Sequence, residues 1–268
     1  MTLITVNKET CTRCGLCAVP CRMIYFKEGS YPRQLPGTDE FCMRCGHCVG
    51  YCPTGALTHK EMPHLPRIDK SLQVSFEQCA QLVKSRRSIR EYKDKAVPGE
   101  EIDRIIDVAR YAPTGHNFQG VRWLVVNDRK KVKEISDIGA DWIRWTMKQN
   151  AQMAQLFAGI VERIDAGEEM FLQGAPAIAL TYAEKENPIA RVDCIIAMSY
   201  FDLIANTAGL GCCWGGFLMM AAATYPDMIK AIGLPEGFAP HAGMMFGYPK
   251  YKYTYIPGRK PADITYRR

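Results

Sequence analysis

Apolar residues recur with helical spacing in several segments after residue 74. The clearest case is Glu100–Tyr111, where four apolar side chains share one face: Ile102, Ile105, Ile106 and Ala109. The spacing predicts further helices at Ser75–Lys84, Ala140–Ile164 and Cys194–Ala208. Apolar runs that are typical of strands lie at Trp123–Val126, Ala175–Tyr182 and His241–Tyr248. Because helices and strands alternate, the pattern predicts a layered α/β or α+β fold.

The stretch Leu203–Pro226 contains no charged residue, which raises the question of a membrane span. Glycines interrupt it at four places: Gly209, Gly211, Gly215 and Gly216. The pattern therefore favours a buried helix, a glycine turn and a second buried helix. We expect no membrane partner.

Eight of the twelve cysteines lie in the first 52 residues. They form two runs of the pattern C-x2-C-x2-C-x3-C, which is typical of bacterial ferredoxins with two [4Fe–4S] clusters. In such proteins the fourth cysteine of each run binds the cluster of the other run. This rule predicts the ligands of the first cluster as Cys11, Cys14, Cys17 and Cys52. It predicts the ligands of the second cluster as Cys42, Cys45, Cys48 and Cys21.

Zinc binding and disulfide bonds are the alternative uses of these cysteines. Structural zinc takes four ligands per ion from paired C-x2-C knuckles and has no use for a third step of this spacing. A disulfide framework needs an oxidising compartment, and residues 1–11 contain no apolar signal segment. The sequence therefore favours clusters, and with them a reducing cytoplasm.

The cysteine runs predict a ferredoxin-type domain at residues 1–66 and a second domain at residues 67–268. The segment His59–Pro66 contains two prolines and is predicted to be the linker. A domain of this size has a small apolar core, so the clusters should act as staples. Three histidines of this region are expected to be solvated: His47, His59 and His64.

The net charge of +6 would suit a nucleic-acid partner, but it counts every cysteine as neutral. Each oxidised cluster with its four thiolates carries a charge of about −2, which brings the loaded chain to roughly +2. The basic residues are also scattered along the sequence. We therefore expect no nucleic-acid partner.

Three weaker motifs follow in the second part of the chain. Residues 86–90 (RRSIR) offer guanidinium groups and a hydroxyl that suit a phosphate, although charge runs are more often simply solvated. Ala112–Asn117 is either a turn or a ligand loop. Gly209–Phe217 either separates two helices or lets the backbone approach a flat ring closely, because glycine has no Cβ.

The order and spacing of these motifs, with G-Y-P and G-R-K-P further on, resemble the nitroreductase family of FMN-dependent oxidoreductases over Phe76–Arg268. With the cysteine runs, the whole chain resembles a ferredoxin–nitroreductase fusion. The resemblance implies an α+β fold, an interlocked homodimer, and FMN bound at the interface of the two subunits. Cofactors of the whole chain would then be two [4Fe–4S] clusters and FMN.

The resemblance also implies which residues bind FMN. Near its phosphate, ribityl chain and pyrimidine edge it places Arg86, Ser88 and Arg90, with Arg87 in the same run. On a loop that reaches the flavin from the partner subunit it places Pro113, Thr114, Gly115 and Asn117. Beside the flavin N5 edge it places Gly215 and Gly216, with Trp214 next to them. Arg259 matches a second phosphate-binding arginine, and Pro257 stands where some members carry a lysine.

Several residues near these motifs keep two interpretations. Trp214 either packs in the core or stacks on the ring, and Cys212 and Cys213 are either redox thiols or small buried apolar residues. Residues 139–172, with Trp142 and Trp145, lie where the family varies its substrate cover and could equally form core.

The combined motifs predict an oxidoreductase that passes electrons from the clusters to FMN and on to a nitroaromatic, a quinone or an activated alkene. The electron donor would be a ferredoxin, a hydrogenase or NAD(P)H. No G-x-G-x-x-G dinucleotide motif is present, so NAD(P)H would bind only transiently at the flavin. Two alternatives are an electron-transfer partner of another protein and an NAD(P)H-dependent enzyme that exports electrons through the clusters. The catalytic residues are unknown, because the chemistry would be centred on the flavin.

Overall fold

The computed structural model describes residues 2–63 and 65–267, so His64 lies outside the described residues. The chain divides into two compact units. The first comprises Met1–Gln73 together with His116–Phe118, and the second comprises Val74–Gly115 and Gln119–Arg268. The predicted domain boundary at residue 66 stays a prediction. No helix within the described residues is long and apolar enough to cross a membrane.

The described residues of the first unit form two small antiparallel sheets, one short α-helix and a 3-10 turn at Lys70–Leu72. Strand β1 (Ile4–Val6) pairs with β4 (Leu57–His59), and β2 (Ile24–Tyr25) pairs with β3 (Arg33–Gln34). Helix α1 (His47–Gly50) lies within the second cysteine run and contains Cys48. The core is small and includes two of the cysteines themselves; its buried residues are Ile4, Cys17, Ile24, Cys48, Val49 and Leu57.

The second unit has one antiparallel sheet in the order β5-β6-β8-β7. Its strands are β5 (Arg122–Val126), β6 (Ala177–Glu184), β7 (Gly211–Trp214) and β8 (Phe238–Gly247). Its helices are α2 (Phe76–Ser85), α3 (Gly99–Ala109), α4 (Arg129–Gln149), α5 (Ala151–Asp165), α6 (Ala190–Thr207), α7 (Gly216–Thr224) and α8 (Pro226–Ile232). The predicted α+β class is confirmed.

Both faces of this sheet are buried, as the central strand β6 shows. Successive side chains of a strand point to opposite faces. Ile178 and Leu180 therefore enter one core cluster, with α4, α5, α7 and α8, while Ala177 and Ala179 enter the other, with α3 and α6. The small alanines let α6 pack closely, and large aromatic side chains fill the opposite core.

The predicted single helix at Ala140–Ile164 is wrong. Helix α4 already begins after Asp128, whose carboxylate accepts the N–H of Lys131, and it ends at Asn150. Asn150 has extended backbone (φ −146°), and its side chain accepts the N–H groups of Gln152 and Met153, which starts α5. Asparagine is a favoured N-cap residue, so one helix ends and the next begins at Asn150. The apolar spacing continues across this break, and for that reason it predicted a single helix.

The predicted glycine turn between two buried helices is also wrong in part, because residues 211–214 form strand β7. Four residues of β7 pair with β8, and Ser88 adds a bridge to Cys212 on the other edge. Strand β8 on one edge and the Ser88 bridge on the other thus impose an extended conformation that the local sequence does not specify. The glycines before and after this strand allow the chain to enter and leave it.

The segment 86–90 approaches β7 closely at Gly211. A Cβ at Gly211 would lie 2.4 Å from Cγ1 of Ile89 and 2.8 Å from Cγ of Pro249. We expect Gly211→Ala to cost about 1–3 kcal/mol through overpacking. The thermal midpoint should fall by roughly 2–4 °C per kcal/mol in a unit of this size. In Gly99→Ala the new Cβ would meet no described atom within 4 Å, so that control should unfold like the wild type; equal midpoints in both variants would contradict the close approach.

Candidate functional site

The two cysteine runs share one backbone feature around their second cysteines. In each run a left-handed arginine and a left-handed glycine flank the second cysteine: Arg13 and Gly15 in the first run, Arg44 and Gly46 in the second. Alternating right- and left-handed residues turn consecutive N–H groups toward one point, which makes a concavity for anions that Fe–S sites commonly use. The repeated spacing is therefore a repeated structure, and it suits a negatively charged cluster.

The structure brings the predicted ligands of the first cluster together across the two runs. Cys11, Cys14, Cys17 and Cys52 line one small cavity, together with Pro32, Pro53 and Leu57. Burial raises the pKa of Cys52, but hydrogen bonds from Leu57, Thr54 and Ala56 outweigh it and leave the pKa below its ordinary value. The site therefore favours a thiolate at Cys52, which is the form that binds iron.

The predicted ligands of the second cluster also converge. The pKa of the Cys48 thiol is raised to about 11. Burial is the largest cause, and the neighbouring thiols of Cys21, Cys45 and Cys42 account for part of the increase. Cys21 thus lies near a thiol of the second run, and Cys52 near the thiols of the first. Four thiols at each site suit a cubane, which is bound by four thiolates. The two ligand sets stay our proposal, and this grouping supports them.

His59 was predicted to be solvated, and that prediction is wrong. Its side chain is buried, and its Nε2 atom lies 3.6 Å from Sγ of Cys42. The pairing of β4 with β1 decides this, because His59 ends β4 opposite Ile4. His47 is exposed as predicted. The sequence analysis placed His59 at the start of the predicted linker, and nothing in the local sequence indicated this contact.

A second group of predicted residues meets where segment 86–90 runs beside β7. The N–H of Ile89 donates to the carbonyl of Cys212 at 2.9 Å, and Ser88 bridges to Cys212. The side chain of Ser88 also lies close enough to Cys213 to lower the pKa of its thiol. The sheet thereby places the hydroxyl of Ser88 and the guanidinium of Arg86 beside the glycine-rich segment.

Arg86 has a buried partner that the sequence analysis missed. Its Nη1 lies 3.3 Å from Oδ2 of Asp202, and the side chain of Trp214 lies close enough to lower the pKa of the same carboxyl. Burial raises the pKa of Asp202, while Arg86 lowers it by a smaller amount. The sequence signal for this partner was the position of Asp202 directly before the charge-free stretch Leu203–Pro226. A carboxylate on a buried helix needs such partners.

Gly215 and Gly216 differ in what their N–H groups can do. The N–H of Gly215 donates to the carbonyl of Gly243 at 2.8 Å, so it is used within the sheet. Gly216 is the first residue of α7, where N–H groups have no partner inside the helix. Gly216 is also exposed. Of the two glycines, Gly216 is the one whose N–H is available to a ligand.

The remaining arginines of the predicted site have different surroundings. Arg87 lines a different cavity of about 380 Å³, which it shares with Tyr251, Tyr253 and Tyr255. Arg90 is exposed, although it lies close enough to Cys213 to lower the pKa of that thiol. Arg259 is exposed in a segment without regular secondary structure. The roles of these three in FMN binding stay predictions.

The predicted flavin loop is held by contacts of its own. The hydroxyl of Thr114 accepts the N–H of Gln119 at 2.9 Å, and the N–H of Gly115 donates to Oδ1 of buried Asp193 at 3.0 Å. The amide of Asn117 donates to the carbonyls of Met43 and Arg44, at 3.0 and 2.9 Å. Pro113 is exposed. Reaching a flavin from the partner subunit stays a prediction for this loop.

The two cysteines of β7 are buried, whereas the tryptophans differ in their exposure. Burial raises the pKa of Cys213 and, more strongly, of Cys212. Both are thus protonated thiols at neutral pH, as expected for small buried residues. Trp142 is buried in the core, whereas Trp145 and Trp214 are partly exposed.

The comparisons with known proteins agree with this arrangement. Residues 83–248 match the sequence model of the Nitroreductase family, and residues 3–53 match that of a 4Fe-4S dicluster domain. A protein of Archaeoglobus fulgidus with the provisional name NADH dehydrogenase/NAD(P)H nitroreductase is 27% identical over 65% of this chain and 87% of its own length. An FMN reductase [NAD(P)H] of Bacillus subtilis is 28% identical over 61% of this chain and 62% of its own.

A solved structure shows the same fold. The nitroreductase with bound FMN from Desulfitobacterium hafniense has a TM-score of 0.58 and 23% identity, and the match covers 73% of this chain and all of that one. Because the family model spans more than half of the residues, the family of this chain is settled: it belongs to the nitroreductase family, and its residues 3–53 form a 4Fe-4S dicluster domain.

Proposed function

We propose that the chain is an FMN-dependent oxidoreductase that moves electrons between two [4Fe–4S] clusters and FMN, and that it reduces a small organic acceptor. Nitroaromatics, quinones and activated alkenes are the proposed acceptor classes. The clusters, when bound, carry electrons singly, and FMN exchanges them in pairs with the acceptor. This division of labour explains why one chain carries both modules.

The observation that carries the flavin assignment is the pairing of segment 86–90 with β7. Ser88 bridges to Cys212 and Arg86 pairs with Asp202, so a hydroxyl and a guanidinium lie beside the strand that leads into α7. These are neutral and charged donors of the kind that bind a phosphate or a polar ring edge. A Cβ at Gly216 would meet no described atom within 4 Å, so a flat ring can approach there. The residues present therefore fit FMN.

The residues of this site would bind and orient rather than transfer protons. Asp202 is paired with Arg86 and Trp214, which fixes the direction of the guanidinium. The N–H of Gly216 would donate to the ring, and the partly exposed Trp214 would shield it from water. The buried thiols of Cys212 and Cys213 would contribute packing behind the site.

We propose that the active form is a homodimer. All ten residues of α2 are described and none is buried, although the helix carries Phe76 and Val83. Residues 251–267 are all exposed and contain alternating tyrosines at Tyr251, Tyr253 and Tyr255. Exposed apolar surface of this extent on a helix and a neighbouring tail is typical of subunit interfaces. Sedimentation of the loaded protein at twice the mass of one chain is the expected result.

A second direction of electron flow has a specific observation in its favour. Two relatives carry names with NAD(P)H, one as a nitroreductase and one as an FMN reductase. In this alternative NAD(P)H reduces FMN, and the clusters export electrons to another protein.

Anaerobic stopped-flow spectroscopy of the loaded protein separates these functions. With a reduced ferredoxin as donor, cluster absorbance should bleach before flavin absorbance, and a nitroaromatic, quinone or activated alkene should be turned over without another protein. With NADH as donor, flavin bleaching first would favour the reverse flow. If no small acceptor is reduced by any donor, the enzyme assignment is contradicted and a carrier role remains.

A further inference from the structure

The contact between His59 and Cys42 has a defined donor and acceptor. On one side of the imidazole, the backbone N–H of Glu61 donates to Nδ1 at 3.1 Å. On the other side, Nε2 lies 3.6 Å from Sγ of Cys42. Because Nδ1 accepts a hydrogen bond, the neutral ring carries its proton on Nε2. The ring therefore donates N–H toward the sulfur of a predicted cluster ligand.

The backbone around His59 holds the ring in this direction. His59 pairs with Ile4 across the β1–β4 sheet, and the N–H of Lys60 donates to the carbonyl of Leu3 at 2.7 Å. The N–H of Met62 returns to the carbonyl of His59 at 2.9 Å, which closes a tight turn. With only 2% of the residue exposed, the imidazole has little freedom to turn away.

The same turn is attached to the second cysteine run at two further points. Glu61 forms an ion pair with Arg44, and Arg44 also donates to the carbonyl of Cys42 at 3.4 Å. The sulfur of Met62 lies 3.4 Å from the position that a Cβ would occupy if Gly46 carried a side chain. The residues 59–62 thus form a fixed support for the loop that carries Cys42 and Cys45.

We propose that His59 is a positioning residue that raises the reduction potential of the second cluster through an N–H···S hydrogen bond to Cys42. The inference rests on the proposed binding of that cluster by Cys42, Cys45, Cys48 and Cys21. Reduction adds one electron, changes the charge of the cluster and its thiolates from about −2 to about −3, breaks no bond and moves no proton. A donor aimed at sulfur stabilises the more negative state, so it favours reduction.

The first cluster provides an internal reference, because its surroundings differ. Arg13, which corresponds to Arg44, donates to the carbonyl of Gly29 and the hydroxyl of Tyr31. The sulfur of Cys52 lies 3.8 Å from the exposed hydroxyl of Thr54. A change at His59 should therefore move the potential of one cluster and leave the other in place.

Two substitutions separate the hydrogen bond from the packing of a buried ring. In His59→Gln the side-chain amide places an N–H near the former Nε2 position and can still reach Cys42. In His59→Asn the shorter amide lies near the former Nδ1 position, where it can accept from Glu61 but does not reach the sulfur. Both variants remove the imidazole.

The measurement is a dithionite titration with redox mediators of the anaerobic, fully loaded protein, followed by EPR spectroscopy. In His59→Asn one cluster should become harder to reduce by up to about tenfold in its equilibrium constant, which is about 59 mV for one electron. The other cluster should keep its potential. In His59→Gln both potentials should stay near those of the wild type. Equal shifts in the two variants, or none in His59→Asn, would overturn the hydrogen-bond role.

Iron and sulfide content distinguishes failure of this inference from failure of the proposed function. A wild-type protein without a second cluster would contradict the cluster assignment itself. If only His59→Asn fails to retain that cluster, wild-type protein labelled with ¹⁵N at the histidine Nε2 position alone, so that the backbone of His47 next to Cys48 stays unlabelled, gives the answer by pulsed EPR of the reduced state. A ¹⁵N coupling supports the hydrogen bond, and its absence overturns it.

Discussion

The double variant Cys21→Ala/Cys45→Ala should keep one intact cluster, whereas Cys14→Ala/Cys21→Ala should keep none. The first pair takes two ligands from the same proposed cluster, although the residues belong to different sequence runs. The second pair takes two residues from one run but one ligand from each proposed cluster. An intact cluster contributes four irons. We therefore expect about four irons per chain in Cys21→Ala/Cys45→Ala and far fewer than four in Cys14→Ala/Cys21→Ala.

The structural reason is the crossing of the fourth cysteines. Cys21 contributes to the raised pKa of Cys48, and Cys52 lines the cavity of Cys11, Cys14 and Cys17. Anaerobic iron and sulfide analysis should be combined with EPR spectroscopy of the reduced proteins. The first variant should give the signal of a single cluster without coupling to a neighbour. The control is Cys79→Ala, an exposed cysteine outside both runs, which should retain about eight irons. The reverse order of the two double variants would contradict the crossed assignment.

The sequence predicted the cofactor motifs better than it predicted their surroundings. Cysteine spacing is a local property, so the ligand groups could be predicted before any strand was known. The helices α2, α3 and α6 followed from apolar spacing, with errors of a few residues at their ends. Arg86 and Ser88 were predicted from the resemblance, and the structure places them together beside β7.

The missed features all depend on residues that are distant in sequence. Strand β7 forms because β8 and Ser88 pair with its two edges. The glycines in and around it make the local sequence look like a turn. His59 is buried because β4 pairs with β1, across more than fifty residues. Asp202 lies in the largely apolar second half of α6, and its partner Arg86 comes more than one hundred residues earlier. Such pairings are tertiary, so hydrophobic periodicity carries no information on them.

Arg86→Gln should destabilise the second unit by about 3–5 kcal/mol near pH 8, because it leaves the buried carboxylate of Asp202 without its cation. Burial already raises the folded-state pKa of Asp202, and loss of Arg86 raises it further. A group with a raised folded pKa contributes stability at low pH that is lost as the pH rises through that pKa. The deficit of Arg86→Gln should therefore shrink as the pH is lowered from 8 toward 5, and Asp202→Asn should abolish this dependence. All four tryptophans lie in the second unit, so urea unfolding followed by tryptophan fluorescence reports on this unit alone.

The double variant Arg86→Gln/Asp202→Asn then tests whether Arg86 also binds FMN. Removing both charges should restore most of the folding free energy, because no unpaired carboxylate remains in the core. A hydrogen bond from a charged group contributes about 1.5–3 kcal/mol, so FMN affinity should stay at least about tenfold weaker than in the wild type. Arg104→Gln, at an exposed position on α3, should change neither quantity. Recovery of FMN affinity together with stability would mean that Arg86 acts only as the partner of Asp202, and another donor would then have to hold the flavin.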